Sequence, residues 1–481
     1  MTQQIDATTL TPLVHMLSNE QIRDIHYATL EILEKIGIDM QDPQGRELLL
    51  EAGAWESNQR IKIPEYMLVD ALAKTPSRIP MYNRLGNLTM PLELGKVYFG
   101  TGSDTMFIHD VNTRERRRSI AQDVEGIARL ADSLDNIDFI MSMGAPSDVP
   151  VQDVFLHAFI GMIRGSVKPL VYTAKDHRDM EDIYQIASEV VGGEQELRKK
   201  PFLLHYAEPI SPLLILEESL QKIIFCAEKG IPCGYIPSPN PGGGGPITLA
   251  GAIALGNAEC LVGLIISQLV HPGTPYIYGM NTAALDMKTT IVSYGSPEWS
   301  LGMVAWTDMA RYYNLPVWGY AGASDSKLVD TQAGIEATFS ILSAFLSRCT
   351  LNHDVAYIEY GSTSSMEMLV IADEIISMTR RFMEGVPVNK ETLALEAIER
   401  VRPGSGFLSD ESTLKYFRRD QWPPRLMDRK RYDLWKADGS KDMFQRANER
   451  ARTLLASHQT PPLPEQTESV IRTILARRGK G

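Results

Sequence analysis

The chain has 481 residues, 44% of them hydrophobic and 22% charged, with a formal net charge of −12. Its length exceeds the roughly 250 to 300 residues at which a single core stops growing, so one large domain with attached layers is expected, and the composition excludes a disordered or collagen-like chain. The acidic balance excludes a general nucleic-acid binder, which needs a net cationic face, and the four cysteines (Cys226, Cys233, Cys260, Cys349) form no CxxC pair and read as reduced thiols of a cytoplasmic protein.

The opening MTQQIDATTLTPLVHMLSNEQ lacks a basic segment followed by an apolar one, and no run of 18 apolar residues stands out, so the chain reads as neither exported nor membrane-spanning. Ser18-Asn-Glu-Gln21 is a capping-box pattern that predicts a helix with Ile22, Ile25, Leu30, Ile32 and Leu33 on its apolar face and Gly37 at its end. From Met81 to Arg118 the runs LTMPLEL, KVYFG and TMFIHDV predict a small antiparallel element. Residues 1–95 are therefore expected to form an N-terminal layer of helices and antiparallel strands. A second capping box, Ser119-Ile-Ala-Gln122, opens a helix with Ile120, Val124, Ile127, Ala128, Ala131 and Leu134 at helical spacing.

The chain then alternates short apolar runs with helical stretches: DFIMSMG, PLVYTA, FLLHYAE, PCGYIPS, PYIYGM, PVWGYAG and CTLNHD, which with KVYFG make eight. Eight such units predict an α/β fold, a (β/α)₈ TIM barrel over residues 96–402, with an open doubly wound sheet as the competing architecture. The polar, turn-rich loops that follow the runs favour the barrel, because they converge on one face there. Residues 403–481 follow the linker PGSGFLSDE and predict a C-terminal helical extension. Between Lys415 and Arg452 twelve Lys/Arg stand against six Asp/Glu, a local excess opposite in sign to the whole chain, read as a solvated helical face or a docking surface for an acidic partner.

PNPGGGGPIT, with Gly242, Gly243, Gly244 and Gly245 in a row, is not a phosphate-binding loop, since Pro246, Ile247 and Thr248 stand where Lys and Ser/Thr are required. Nor is it a spaced GxGxxG fingerprint with an acidic ribose partner. It reads as a flexible turn, or as bare backbone leading into a helix in which Pro246 occupies the first turn. The nine histidines show no HExxH and no Cys/His cluster, so no metal site is expected, and no GxSxG marks a hydrolase. Lys175 and Lys327 lie just past predicted strands and are open to a Schiff-base or a surface reading. Tyr98, Phe99, Tyr172, Tyr206, Tyr235, Tyr278, Trp318, Tyr320, Tyr357 and Tyr360 sit in or just past predicted strands, where rings serve as packing or as a cage for a quaternary ammonium. His353 closes the eighth run, where it reads as a satisfied core histidine or as a functional residue pointing toward the face where barrel chemistry sits.

The runs GGGGPITLAGAIALGNAECLVGLIISQLVHPGTPYIYG, EPISPL, GASDSKLVDTQAGIEA, NHDVAYIEYGSTSSMEMLVIADEII and LSNEQIRDIHYATLEILEKIGI together resemble the trimethylamine methyltransferase superfamily across nearly the whole chain. The resemblance implies a TIM barrel that transfers a methyl group from a methylated amine to the cobalt(I) of a corrinoid (cobalamin) carried by a separate protein, and a tendency to form homo-oligomers. The archetype carries pyrrolysine. This chain is written in the twenty ordinary residues, which places it with members resembling glycine betaine methyltransferase. A quaternary amine already carries the charge that makes nitrogen a leaving group, so no activating residue is needed.

On that reading Tyr98, Tyr206, Tyr320 and Tyr360 are cage candidates and His353 a carboxylate binder. Glu208 either opposes the ammonium or braces its loop, and Gly242 to Gly245 line the face met by the corrinoid protein. The alternatives are a TIM-barrel lyase or aldolase using Lys327, and an intracellular betaine-binding protein that transfers nothing.

Overall fold

Gln21 N–H donates to Ser18 Oγ at 3.2 Å and Ser18 N–H to Gln21 Oε1 at 2.8 Å, so the expected capping box opens the helix Asn19–Glu31. A π-helical turn, Ile32–Ile36, continues it, and Gly37 ends it at φ 74°, a left-handed conformation that a side chain strains. This computed structural model describes residues 11–479; MTQQIDATTL, part of the stretch read above as leaderless, lies outside them. The N-terminal layer also contains the hairpin Trp55–Ser57/Arg60–Lys62 and a second one, Arg78–Tyr82/Leu88–Glu93.

The eight apolar runs all enter parallel pairing. Leu170–Tyr172, Leu203–Ala207 and Cys233–Tyr235 form one parallel sheet; Tyr278–Gly279, Val317–Tyr320, Leu351–Val355 and Tyr98–Thr101 form another. Parallel bridges Cys233↔Tyr276, Gly100↔Phe139 and Ile140↔Leu170 join them on both sides. Single hydrogen bonds follow the same order, including Cys233 N–H to Pro275 O at 3.2 Å and Tyr98 N–H to Thr350 O at 2.8 Å. Strands covered by helices bury both faces, which is why the runs are continuously apolar.

Three expectations need correction. DFIMSMG contributes only Phe139 and Ile140 to pairing, because the Thr101 hydroxyl takes the place of a ladder partner, donating to Met141 O at 2.8 Å and accepting from Met141 N–H at 2.7 Å. The capping box at Ser119 is displaced by one residue: the helix is Ala121–Asp132, and the Asp123 carboxylate accepts from Ile120 N–H at 2.9 Å. Phe107–His109 and Arg116–Arg118 pair antiparallel as expected, but Thr363–Ser365, from beyond the eighth strand, adds in parallel.

Leu249–Val270 is long and apolar enough to cross a membrane, yet 83% of its most apolar window is buried against the rest of the chain. Its length comes from packing between the N-terminal layer and the fifth strand. After residue 402 come the helices Glu411–Asp420, Tyr432–Ala437, Met443–Ser457 and Glu465–Arg478. The last two are tied to the body by Asn448 Nδ2 to Glu367 Oε1 at 2.7 Å and by Arg164 to Glu468 at 2.6 Å.

His205, in the fourth parallel strand, is fully buried, and neither ring nitrogen has a hydrogen-bond partner among the described residues. Burial holds its pKa well below the ordinary 6.5, and the Lys222 charge acts in the same direction. Folding therefore penalises the protonated ring: the cost is absent above the unfolded value and grows as pH falls below it. Glu259, pushed up to about 7 by burial, titrates in this range with the opposite sign. The informative comparison is thus between two proteins: His205→Leu is expected to lose less thermal stability than the unsubstituted chain between about pH 7.5 and pH 5.5. Parallel melting-temperature profiles would refute this.

Candidate active site

The C-terminal ends of the fourth, seventh and eighth parallel strands carry a wall of rings. Tyr206 stacks on Trp318 with centroids 4.9 Å apart and planes at 8°. His353 stands 4.6 Å from Trp318 and 4.5 Å from Tyr320, and Tyr320 is 5.5 Å from Trp299. Alternation explains the grouping: Trp318 and Tyr320 are two residues apart on one strand and share a face.

These rings border a cavity of about 460 Å³ lined by Tyr206, Tyr294, Tyr320, His353 and Tyr357 together with four charged residues, Asp104, Glu208, Lys222 and Asp354. Glu208 lines the cavity and is accessible to solvent there, although many protein atoms surround it. Burial raises its pKa, opposed by hydroxyl bonds from Tyr206 and from Ser238 at 3.3 Å. Asp104 accepts from Ser142 Oγ at 2.8 Å and Thr173 Oγ1 at 2.9 Å, and burial raises its pKa as well. His353 Nδ1 lies 2.7 Å from Asp354 Oδ1, close enough for attraction but not aligned as a hydrogen bond. The Tyr320 hydroxyl has no partner among the described residues, and burial holds its pKa well above the ordinary 10.0, so it stays neutral.

Backbone strain gathers here too. Asp104 (φ 47°), Asp354 (φ 74°) and Ala356 (φ 78°) hold left-handed conformations without being glycine, the last two beside a register shift between Asn352 and Val355. Such residues cost about 1–3 kcal/mol each and persist where the surroundings hold them, often at functional sites. An acidic cavity with aromatic faces suits an organic cation, since each ring face adds roughly 0.5–2 kcal/mol and nearby carboxylates attract the charge.

Of the sequence candidates, Tyr206, Glu208, Tyr320 and His353 line this cavity. Tyr98 does not: it is the first residue of its strand, and its hydroxyl donates to Pro91 O at 3.2 Å. Side chains at that end lie at the opposite pole from the strand C-termini. Tyr360 sits in the turn Glu359–Gly361 at φ 49°, its ring 5.7 Å from Lys327 Nζ and outside the cavity lining. Lys327 is exposed and donates to Asp325 O at 2.9 Å, and Lys175 is exposed, so neither is the desolvated amine a Schiff base requires. Asp104, Tyr294 and Lys222 were not singled out as site residues from the sequence. Asp104 and Tyr294 stand in loops after strands, where a search restricted to strand ends misses them, and Lys222 lies on a helix with no local signal.

The glycine run is an ordered turn. Gly243 N–H donates to Asn240 O at 2.9 Å and Asn240 Nδ2 to Ala283 O at 2.8 Å, while Ser238 and Asn240 line the cavity beside it. Gly242 needs its freedom at φ 85°, whereas a Cβ on exposed Gly243 meets nothing closer than 3.6 Å. The helix that follows begins at Leu249, so Pro246 precedes it instead of occupying its first turn.

Comparison with known proteins finds relatives of this chain. The profile of a family described as trimethylamine methyltransferase (MTTB) matches residues 2–481. A trimethylamine methyltransferase of Methanosarcina thermophila is 34% identical over 466 residues, covering 94% of each chain. A glycine betaine methyltransferase of Desulfitobacterium hafniense is 30% identical over 473 residues, covering 98% of each. The crystal structure of a monomethylamine methyltransferase of Methanosarcina barkeri superimposes with a TM-score of 0.51 at 11% identity, over 93% of this chain and 90% of that one, a likeness of fold.

Proposed function

Because the chain belongs to the trimethylamine methyltransferase family, we propose that it moves a methyl group from a quaternary amine, glycine betaine in particular, to the cobalt(I) of a corrinoid on a separate protein, leaving dimethylglycine. We read the two parallel sheets and their bridges as one closed (β/α)₈ barrel over residues 96–402, with 1–95 and 403–481 as attached layers. Hydrogen bonds between successive runs support that reading.

The observation that carries the functional reading is the union, in one cavity, of the Tyr206, Tyr320 and His353 rings with the carboxylates of Asp104, Glu208 and Asp354. The corrinoid supplies the cobalt(I) nucleophile. The N–CH₃ bond breaks with its electron pair staying on nitrogen, so the amine leaves neutral and no proton is required. This chain's residues then have three tasks: the rings and carboxylates hold the ammonium, the cavity walls fix one methyl toward the opening, and enclosure excludes water. The Asp354 oxygen beside His353 repels a second carboxylate, which favours His353 as wall over the role of carboxylate binder.

The rim supports docking of a wide, flat ring. Gly243 is exposed and carries no side chain beside the cavity-lining Asn240. Mixing the protein with a cobalt(I) corrinoid protein and glycine betaine should consume the cobalt(I) absorbance and yield dimethylglycine. If neither occurs with any quaternary amine, the reading fails. Gly243→Leu is expected to slow transfer about 10-fold or more with betaine affinity unchanged, since leucine fits the turn but stands in the approach path; equal loss of affinity would count against the docking face.

A further inference from the structure

Lys222 is the one lysine or arginine among the described residues lining the cavity, and the cation reading leaves it unexplained. It stands on the helix Glu217–Lys229 with its side chain only 13% exposed. Its nearest carboxylate, Glu218, is 4.0 Å away and itself 63% exposed, too distant for a hydrogen bond. The charges acting on it are those of Glu218, Asp176, Asp179 and Glu208, which sets its ammonium on the side of the cavity formed by the third and fourth strands. Tyr320 and His353 come from the seventh and eighth.

A half-desolvated ammonium in a cavity built for a cation works against binding unless the ligand also brings a negative charge. Burial lowers the Lys222 pKa, which marks the missing partner as a cost borne by the free protein. A cavity of about 460 Å³ is also far larger than a trimethylammonium group alone. A simple methylamine leaves both the volume and the lysine unused. A zwitterion with its ammonium against the rings and its carboxylate across the cavity uses both.

We propose that Lys222 anchors the carboxylate of the substrate, so that this cavity selects trimethylammonium carboxylates over quaternary amines lacking an acid group. The inference rests on the methyl-transfer reading and narrows it to a substrate class.

The test is calorimetric titration of the purified protein with glycine betaine and with tetramethylammonium, alongside the corrinoid methyl-transfer assay. Lys222→Met is expected to weaken glycine betaine binding by about 10- to 100-fold, as for loss of a charged hydrogen bond, and to leave tetramethylammonium binding unchanged or tighter. Retained tetramethylammonium binding also shows that the variant is folded. Lys222→Arg should keep most of the betaine affinity. Equal weakening of both ligands, or an unchanged betaine affinity, overturns the assignment. Should the unsubstituted protein demethylate tetramethylammonium as readily as glycine betaine, only the carboxylate inference falls; should it bind and demethylate neither, the methyl-transfer reading falls and this one with it.

Discussion

Glu208→Gln is expected to raise the Michaelis constant for a quaternary amine by roughly 10- to 100-fold while leaving turnover within a few-fold of the unsubstituted enzyme. Glu208 projects into the cavity from just beyond the fourth strand, held by the Tyr206 and Ser238 hydroxyls, and glutamine keeps its shape while removing its charge. A carboxylate near an ammonium at an effective dielectric of about 20 gains about 4 kcal/mol at 4 Å, part of which the other charges of the cavity offset. The charge matters most before the reaction. As the methyl group departs, nitrogen loses its positive charge, so Glu208 stabilises the bound substrate more than the transition state. Its removal therefore falls on binding.

The pH dependence follows from the same residue. Burial raises the Glu208 pKa above its ordinary 4.5. The carboxyl is ionised, and binds cations, above that raised value, and it is neutral below it. The second-order rate constant should show an acid limb above pH 4.5 that is displaced or absent in Glu208→Gln. A parallel fall in turnover with unchanged Michaelis constant would show that Glu208 acts in the chemical step instead.

Arg478→Leu is expected to cost about 3–5 kcal/mol, appearing as release of the helix Glu465–Arg478 from the body. Its guanidinium is 3% exposed and meets Asp182 at 2.6 Å, Asp179 at 2.7 Å and Asp153 at 3.0 Å, all three nearly fully buried. Burial alone lowers the Arg478 pKa, but the three carboxylates outweigh it and the net shift is upward. Leucine leaves the buried Asp153 and Asp179 carboxylates without a cation and Asp182 with Arg477 alone, whereas removing both sides of the cluster leaves none unpaired. Arg478→Lys should be nearly as damaging, because one ammonium cannot span three carboxylates as a planar fork does. Hydrogen exchange across residues 465–478 is the direct measurement, since a terminal helix can detach before the rest unfolds. Unchanged protection there, with an unchanged urea midpoint, sinks the argument.

Much of the architecture was legible because it rests on local patterns. The Ser18 capping box and the eight apolar runs reappear as a helix start and as parallel pairing, and Tyr206, Glu208, Tyr320 and His353, read at strand C-termini, line one cavity. Tyr98 lies away from that cavity, because KVYFG does not reveal which residue begins the strand and the first residue stands at the opposite pole. Tyr360 stands outside the cavity lining, in a left-handed turn that a sequence pattern does not reveal. Asp104 reaches the cavity only through the conformation of its loop, held by Ser142 and Thr173 from the segments just past two other runs.

The sequence by itself determined the alternation of strands and helices and the family, because periodicity, capping and long motifs are properties of neighbours along the chain. It also determined that Gly242 to Gly245 leave a stretch of backbone bare. Only the tertiary structure decided which charges share a cavity. Lys222 on a helix, Asp104 in a strained loop, Asp354 at a strained irregularity of the eighth strand and Glu208 past a strand meet through packing across more than 200 residues of chain, and no local pattern encodes that distance.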